Sequence, residues 1–272
     1  MGTELHARGV PTPLPGWSSH ALEAAPDIVR AIHRDYAKSG AQVHTTNTFR
    51  TRAATYPARW ERLARLAVRL ARESVPSTHL VAGSIAPLQD CYRPELSPAD
   101  REPEETRAEH RALALALADE GCDLLLCETF PHMGEALLAA QAAIETGLET
   151  WVSFTPGPNL DLLTPEQVGE GAETVLRSGA KAVLVNCLPS SKTLPYLQAL
   201  APVAKHYDAD FGAYTNVGWV DDVDGWKPAP NDPEEFAQEA RPWIEVGATI
   251  LGGCCGTGPA HVRALRDCLK GR

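Results

Sequence analysis

The strongest constraint on the fold is a regular alternation of short apolar runs with longer helix-like runs. Residues 122–127 and 181–186 contain Leu124-Leu125-Leu126 and Ala182-Val183-Leu184-Val185, which are apolar at every position. A strand with one wet face alternates polar and apolar residues, so these runs read as strands covered on both sides, as in a parallel sheet flanked by helices. Further strand-like runs fall at 41–49, 79–83, 150–155, 210–215 and 248–251. Helix-like runs fall at 27–39, 57–74, 104–120, 133–146, 164–178, 191–205, 233–246 and 259–269. Strand–helix alternation implies parallel strands joined by right-handed crossovers. Eight helices against seven strands point to an α/β TIM (β/α)8 barrel whose first strand is missing or truncated at the N-terminus, the chain starting inside the first strand-to-helix loop. No linker or composition shift divides the chain, so residues 1–272 read as one domain.

In such a barrel, chemistry collects at the C-terminal ends of the strands. Those ends carry Thr46-Asn47-Thr48-Phe49, Gly83-Ser84, Glu128-Thr129, Ser153-Phe154-Thr155, Asn186-Cys187, Tyr214-Thr215-Asn216 and Cys254-Cys255. The last pair sits in Gly252-Gly253-Cys254-Cys255-Gly256-Thr257-Gly258, a turn that can aim two neighbouring thiols at one point. Thiolates suit zinc, but two are too few, and Cys187 is the leading third ligand. Cys127 competes for that role, although side-chain alternation turns it away from Glu128. A pair of small buried thiols, or a vicinal disulfide, is the plainer reading of Cys254-Cys255. Glu128 ends an apolar strand, where a carboxylate is costly unless partnered; it suits holding an ammonium group or acting as a base. Asn186 and Asn216 suit orienting a substrate or the metal shell. Tyr214, Trp219 and Trp226 suit a pocket for a cationic methyl donor. Thr48 and Ser84 complete the substrate-binding set by position. His132 lies near the site, and the proline-rich stretch 88–103 reads as a loop over one end of the fold.

A net charge of −10 and a pI near 5.4 argue against nucleic acid or an anionic membrane as the main partner. No run is long enough to span a bilayer, and no signal peptide is evident. Seven cysteines without an export signal read as reduced thiols in the cytoplasm, free to bind metal. The sequence leaves room for a homo-oligomer.

The chain resembles the homocysteine S-methyltransferases, a family that includes the betaine-dependent enzymes and the homocysteine-binding module of methionine synthase. The resemblance rests on Met1-Gly2-Thr3-Glu4-Leu5, Thr46-Asn47-Thr48-Phe49, Cys127-Glu128-Thr129-Phe130-Pro131, Val185-Asn186-Cys187, Asn216-Val217-Gly218 and Gly252-Gly253-Cys254-Cys255-Gly256, which run in order along nearly the whole chain. It implies zinc on Cys187, Cys254 and Cys255, homocysteine held through its amino group by Glu128, and methionine as product. Family members carry an Asp-Gly pair just upstream of the position of Met1, at the end of the first strand, so a start upstream of Met1 is expected. Ala86 replaces a glycine common in the family, a change expected to be tolerated. Thr129 stands where betaine enzymes tend to place an aromatic residue, which leans the donor towards S-methylmethionine or S-adenosylmethionine. The alternatives are a betaine- or corrinoid-dependent homocysteine methyltransferase, selenocysteine as acceptor, or a zinc- or thiol-binding barrel that does not catalyse.

Overall fold

The computed structural model describes residues 1–221, 225–227 and 232–270, with the backbone alone within 219–227. One sheet of seven parallel strands forms its centre. The strands are β1 (Val43–Thr45), β2 (Leu80–Ile85), β3 (Leu124–Phe130), β4 (Glu149–Phe154), β5 (Ala182–Pro189), β6 (Asp210–Asn216) and, after the small antiparallel hairpin β7 (Trp219–Asp221) and β8 (Gly225–Lys227), β9 (Ile250–Gly253). They lie side by side in chain order, β1-β2-β3-β4-β5-β6-β9, as crossovers that always step one strand along dictate. Among the described residues β1 and β9 are the sheet's two edges, so seven staves are present and none pairs β1 with β9.

The helices of the crossovers are α3 (Pro26–Ser39), α4 (Trp60–Arg72), α5 (Pro103–Asp119), α6 (Met133–Ile144), α7 (Pro165–Arg177), α8 (Leu194–Tyr207) and α11 (Pro259–Lys270), with α9 (Pro233–Glu239) and α10 (Arg241–Glu245) replacing the single run expected over 233–246. Pro242 has no N–H to continue a helix, so the chain breaks at Ala240 and restarts. Two short helices that periodicity does not foretell, α1 (Gly2–Ala7) and α2 (Ala21–Ala24), pack with α3 and α4, and the Thr3 hydroxyl of α1 accepts from Gly256 N (3.3 Å) beside the cysteine turn. The helix starting near residue 164 carries the sharpest boundary: Thr164 accepts from Gln167 N, and the Gln167 side chain accepts from Thr164 N, a reciprocal cap.

Side-chain alternation divides the core in two. Val81, Val152, Val183, Val185 and Ala213 face the helices within the large outer cluster. Ala82, Leu124, Leu126, Trp151, Ala182 and Leu184 face inward and fill the interior of the curled sheet. The next inward positions towards the C-terminal ends are Ser84, Glu128, Ser153, Asn186 and Tyr214. The apolar filling thus gives way to a polar layer one step from the mouth. Strand β1 is shorter than the expected run of 41–49: Thr46 N still donates to Ala82 O (2.9 Å), but Thr48 N turns back to Thr46 O (2.9 Å) and the ladder ends.

Candidate active site

The Cys254-Cys255 turn is fixed to the end of β6. Cys254 N donates to Thr215 O (2.7 Å), Val217 N to Cys255 O (2.9 Å), and Cys255 N to the Asn216 side-chain carbonyl (3.1 Å). Gly256 takes φ 80°, a left-handed value that costs glycine nothing. At Gly253 a Cβ would lie 2.2 Å from the Thr257 hydroxyl, so the turn closes only without a side chain there.

Cys187 joins this pair from β5. Its sulfur lies 2.9 Å from that of Cys254, and the three sulfurs all fall within 4.8 Å of one another. Alternation would send Cys187 to the helix side with Val183 and Val185. A left-handed backbone at Cys187 (φ 57°) and a register shift in β5 after Asn186 turn it back towards the mouth. All seven cysteines are free thiols. Bonds from Cys187 and Cys254 hold the Cys255 thiol well below its ordinary value, while the same sharing pushes Cys187 up. Three convergent thiols, one of them readily ionised, make a donor set that fits zinc with a fourth position left open. Cys127, the competing ligand, is fully buried in the outer cluster and takes no part.

Glu128 sits in the polar layer, 9% exposed. The Ser84 hydroxyl donates to one carboxylate oxygen and the Tyr214 hydroxyl to the other (3.1 Å). Burial pushes its pKa up to about 7, against the opposing pull of the Ser84 bond, and Cys254 lies close enough for its charge to add to the rise. A carboxyl poised at neutrality and held by two hydroxyls is ready to meet a cation.

Thr48, Asn186, Asn216 and His132 are each held by hydrogen bonds to neighbouring residues. Thr48 is fully buried, donates to Ser84 O (2.7 Å) and shares a 2.8 Å bond with Thr46, whose hydroxyl also receives Ser84 N. It therefore positions Ser84. The Asn186 amide, also fully buried, spends its whole bonding capacity on Thr129, Ser153 and Cys187. Asn216 accepts from Cys255 N, and its amide nitrogen is buried without a partner among the described residues. His132 caps α6 by accepting from Glu135 N (3.1 Å) and pairs with Asp100. The side chains of Trp219 and Trp226 lie outside the described residues.

Sequence reasoning passed over Tyr92 and Cys91. The loop after β2 brings the Tyr92 phenol within electrostatic reach of all three sulfurs, and Cys91 within reach of Cys254 and Cys255. The proline richness of the loop marked it as functional, but nothing in its spacing marked these two residues. Glu135, buried on α6, ties the loop down by accepting from Leu88 N (2.7 Å) and the Ser97 hydroxyl (2.5 Å).

Comparison with known proteins agrees with this geometry. The sequence profile of the family described as homocysteine S-methyltransferase matches residues 1–269. The homocysteine S-methyltransferase of Escherichia coli is 30% identical and aligns over 98% of this chain and 92% of its own length. An S-methylmethionine–homocysteine S-methyltransferase of Rattus norvegicus is 28% identical over 92% of this chain and 72% of its own. Among solved structures, the metallated form of the homocysteine methyltransferase MmuM from Escherichia coli superposes with a TM-score of 0.82 at 28% identity, covering 98% of this chain and 93% of that one.

Proposed function

The chain belongs to the homocysteine S-methyltransferase family and is a methyltransferase, and on that premise we propose that residues 1–272 act as one zinc-dependent barrel that methylates L-homocysteine to methionine, with S-methylmethionine or S-adenosylmethionine as donor. The observation that carries the reading is the meeting of three thiols with the clamped Glu128 at one mouth.

Cys187, Cys254 and Cys255 would hold the ion. Bound there, zinc supplies a Lewis acid at which a substrate thiol loses its proton near neutral pH. Glu128, as carboxylate, binds the homocysteine ammonium, while Ser84 and Tyr214 fix its orientation. The Asn216 amide nitrogen, a buried donor beside Cys255, is available to a substrate oxygen or sulfur. The substrate thiolate then attacks the donor methyl in line. A new S–C bond forms as the donor's C–S⁺ bond breaks, and the electron pair leaves on the donor sulfur, giving a neutral thioether. Little charge needs stabilising in that departure, so the site's main task is to align the two reactants. Thr129 beside Glu128 and the S-methylmethionine-dependent rat relative both favour a sulfonium donor over betaine. Free thiols throughout suit a reducing compartment such as the cytoplasm. No helix among the described residues is long and apolar enough to cross a membrane.

The test is a panel of S-methylmethionine, S-adenosylmethionine and betaine against homocysteine and selenocysteine, run with purified zinc-loaded protein. Methionine formed from a sulfonium donor, and lost in Cys255→Ala together with the bound zinc, is the expected result. One equivalent of zinc with no turnover from any pair would make the protein a thiol-binding barrel instead.

A further inference from the structure

Two of the non-glycine residues with left-handed backbone in this chain stand at the site: Thr129 (φ 64°) and Cys187 (φ 57°). Each strand slips register there, between Cys127 and Phe130 on β3 and between Asn186 and Pro189 on β5. A β-branched residue with positive φ is a genuine outlier, and such strain persists only where neighbours over-determine it. The corner at Thr129 lets Glu128 point inward while Phe130 returns to the outer cluster. The corner at Cys187 turns its sulfur from the helix side to the mouth.

One side chain touches both corners. Asn186 Oδ1 accepts from Thr129 N (3.2 Å) and from the Ser153 hydroxyl (2.7 Å). Its Nδ2 donates to the Thr129 hydroxyl (2.8 Å) and to the Cys187 sulfur (3.3 Å). A primary amide offers two acceptor and two donor directions, and all four are taken by protein. We infer that Asn186 is a positioning residue, a latch that locks the two strained corners together, so that the amino-group anchor Glu128 and the metal ligand Cys187 are set by a single amide. This gives Asn186 no substrate to hold, and it rests on the metal-centre reading only for its effect on Cys187.

The full chain tests it in two states. In metal-free protein, Asn186→Ala lowers the thermal midpoint by about 5 °C or more. Adding Thr129→Gly regains about half of that loss, because glycine holds a left-handed corner unaided, whereas Thr129→Gly alone stays within about 2 °C of the parent. No recovery in the double variant overturns the latch at Thr129. Zinc affinity, read by competition with a chromogenic chelator, falls about 10- to 100-fold in Asn186→Ala. Thr129→Gly does not restore it, since the Cys187 corner stays unlatched. Affinity within about threefold of the parent, with only the homocysteine KM raised, would make the amide a substrate contact and sink the proposal. Should Asn186→Ala not fold, Thr129→Val removes the hydroxyl that receives Nδ2; an approximately three- to tenfold loss of zinc affinity is expected, and parent-like affinity counts against the latch. A parent that binds no zinc at all refutes the metal centre instead, and the metal-free unfolding still decides the latch.

Discussion

Two of the places where titratable groups are buried, the mouth of the sheet and the helix-facing side of its edge strand β1, have opposite logic. At the mouth, burial and the nearby Cys254 sulfur favour the neutral form of Glu128, while the hydroxyls of Ser84 and Tyr214 favour the charged one. Behind β1, His44 stacks on His79 (ring centroids 5.3 Å) and lies edge-on to His33 (6.2 Å). Burial and their mutual charge drive His33 down to about 3 and His44 to about 4, with no carboxylate set against them. The mouth keeps a charge available for a ligand, whereas the imidazole group keeps charge out. Burial alone is therefore no sign of function.

The comparison can be broken at several points, from large effects to small. Glu128→Gln should raise the homocysteine KM by about 100-fold, since an ion pair worth about 2–3 kcal/mol is lost, as steady-state kinetics will read. The same change should help the resting protein at alkaline pH. The folded carboxyl titrates near 7 and the unfolded one near 4.5, so the stability tied to its proton is full below 4.5 and lost as pH rises through 7. At pH 8, Glu128→Gln is expected to melt above the parent, and a lower midpoint would contradict the burial argument.

On the other side the sign reverses. His33 and His44 have folded values below the ordinary 6.5, so their contribution is full above pH 6.5 and is lost as pH falls towards 4. Thermal scans should show the parent losing midpoint across that window and His33→Leu losing less. Equal slopes would deny the imidazoles their part.

Tyr214→Phe, which removes one of the two donors to Glu128, should raise the homocysteine KM by about 10- to 30-fold, the lower range for a hydrogen bond to a charged group. Smallest of all, Thr164→Ala removes a helix cap that belongs to neither region and should lower the midpoint by about 2–4 °C with turnover unchanged.

The strand order and the inward layer were legible in the sequence because parallel strands need continuous apolar runs, and those runs end where the polar residues begin. The three cysteines were legible for the same reason. What escaped was the parity of their strand. Cys187 stands on the wrong face by counting, and only a left-handed corner at a non-glycine position corrects it, a device that no composition or period announces. The role of Asn186 escaped likewise: its partners Thr129 and Ser153 come from two other strands, and only pairing register brings them together. Residues 233–246 were read as one helix because their hydrophobic period survives Pro242, although the hydrogen-bond ladder does not. Strand β1 was overestimated because Thr46 and Thr48 look like β-formers, yet their hydroxyls find better partners around Ser84.

The brevity of the two outermost strands has a consequence for behaviour in concentrated solution. β1 offers three residues and β9 four, and α3 and α11 meet across the seam, with the stem of Arg266 lying against Gly40 and the Tyr36 hydroxyl reaching Thr257 O (3.0 Å). A stranger's backbone would find too short a template there to zip onto. Outer strands this short, covered where α3 and α11 meet, can stay free of fibrillar self-association.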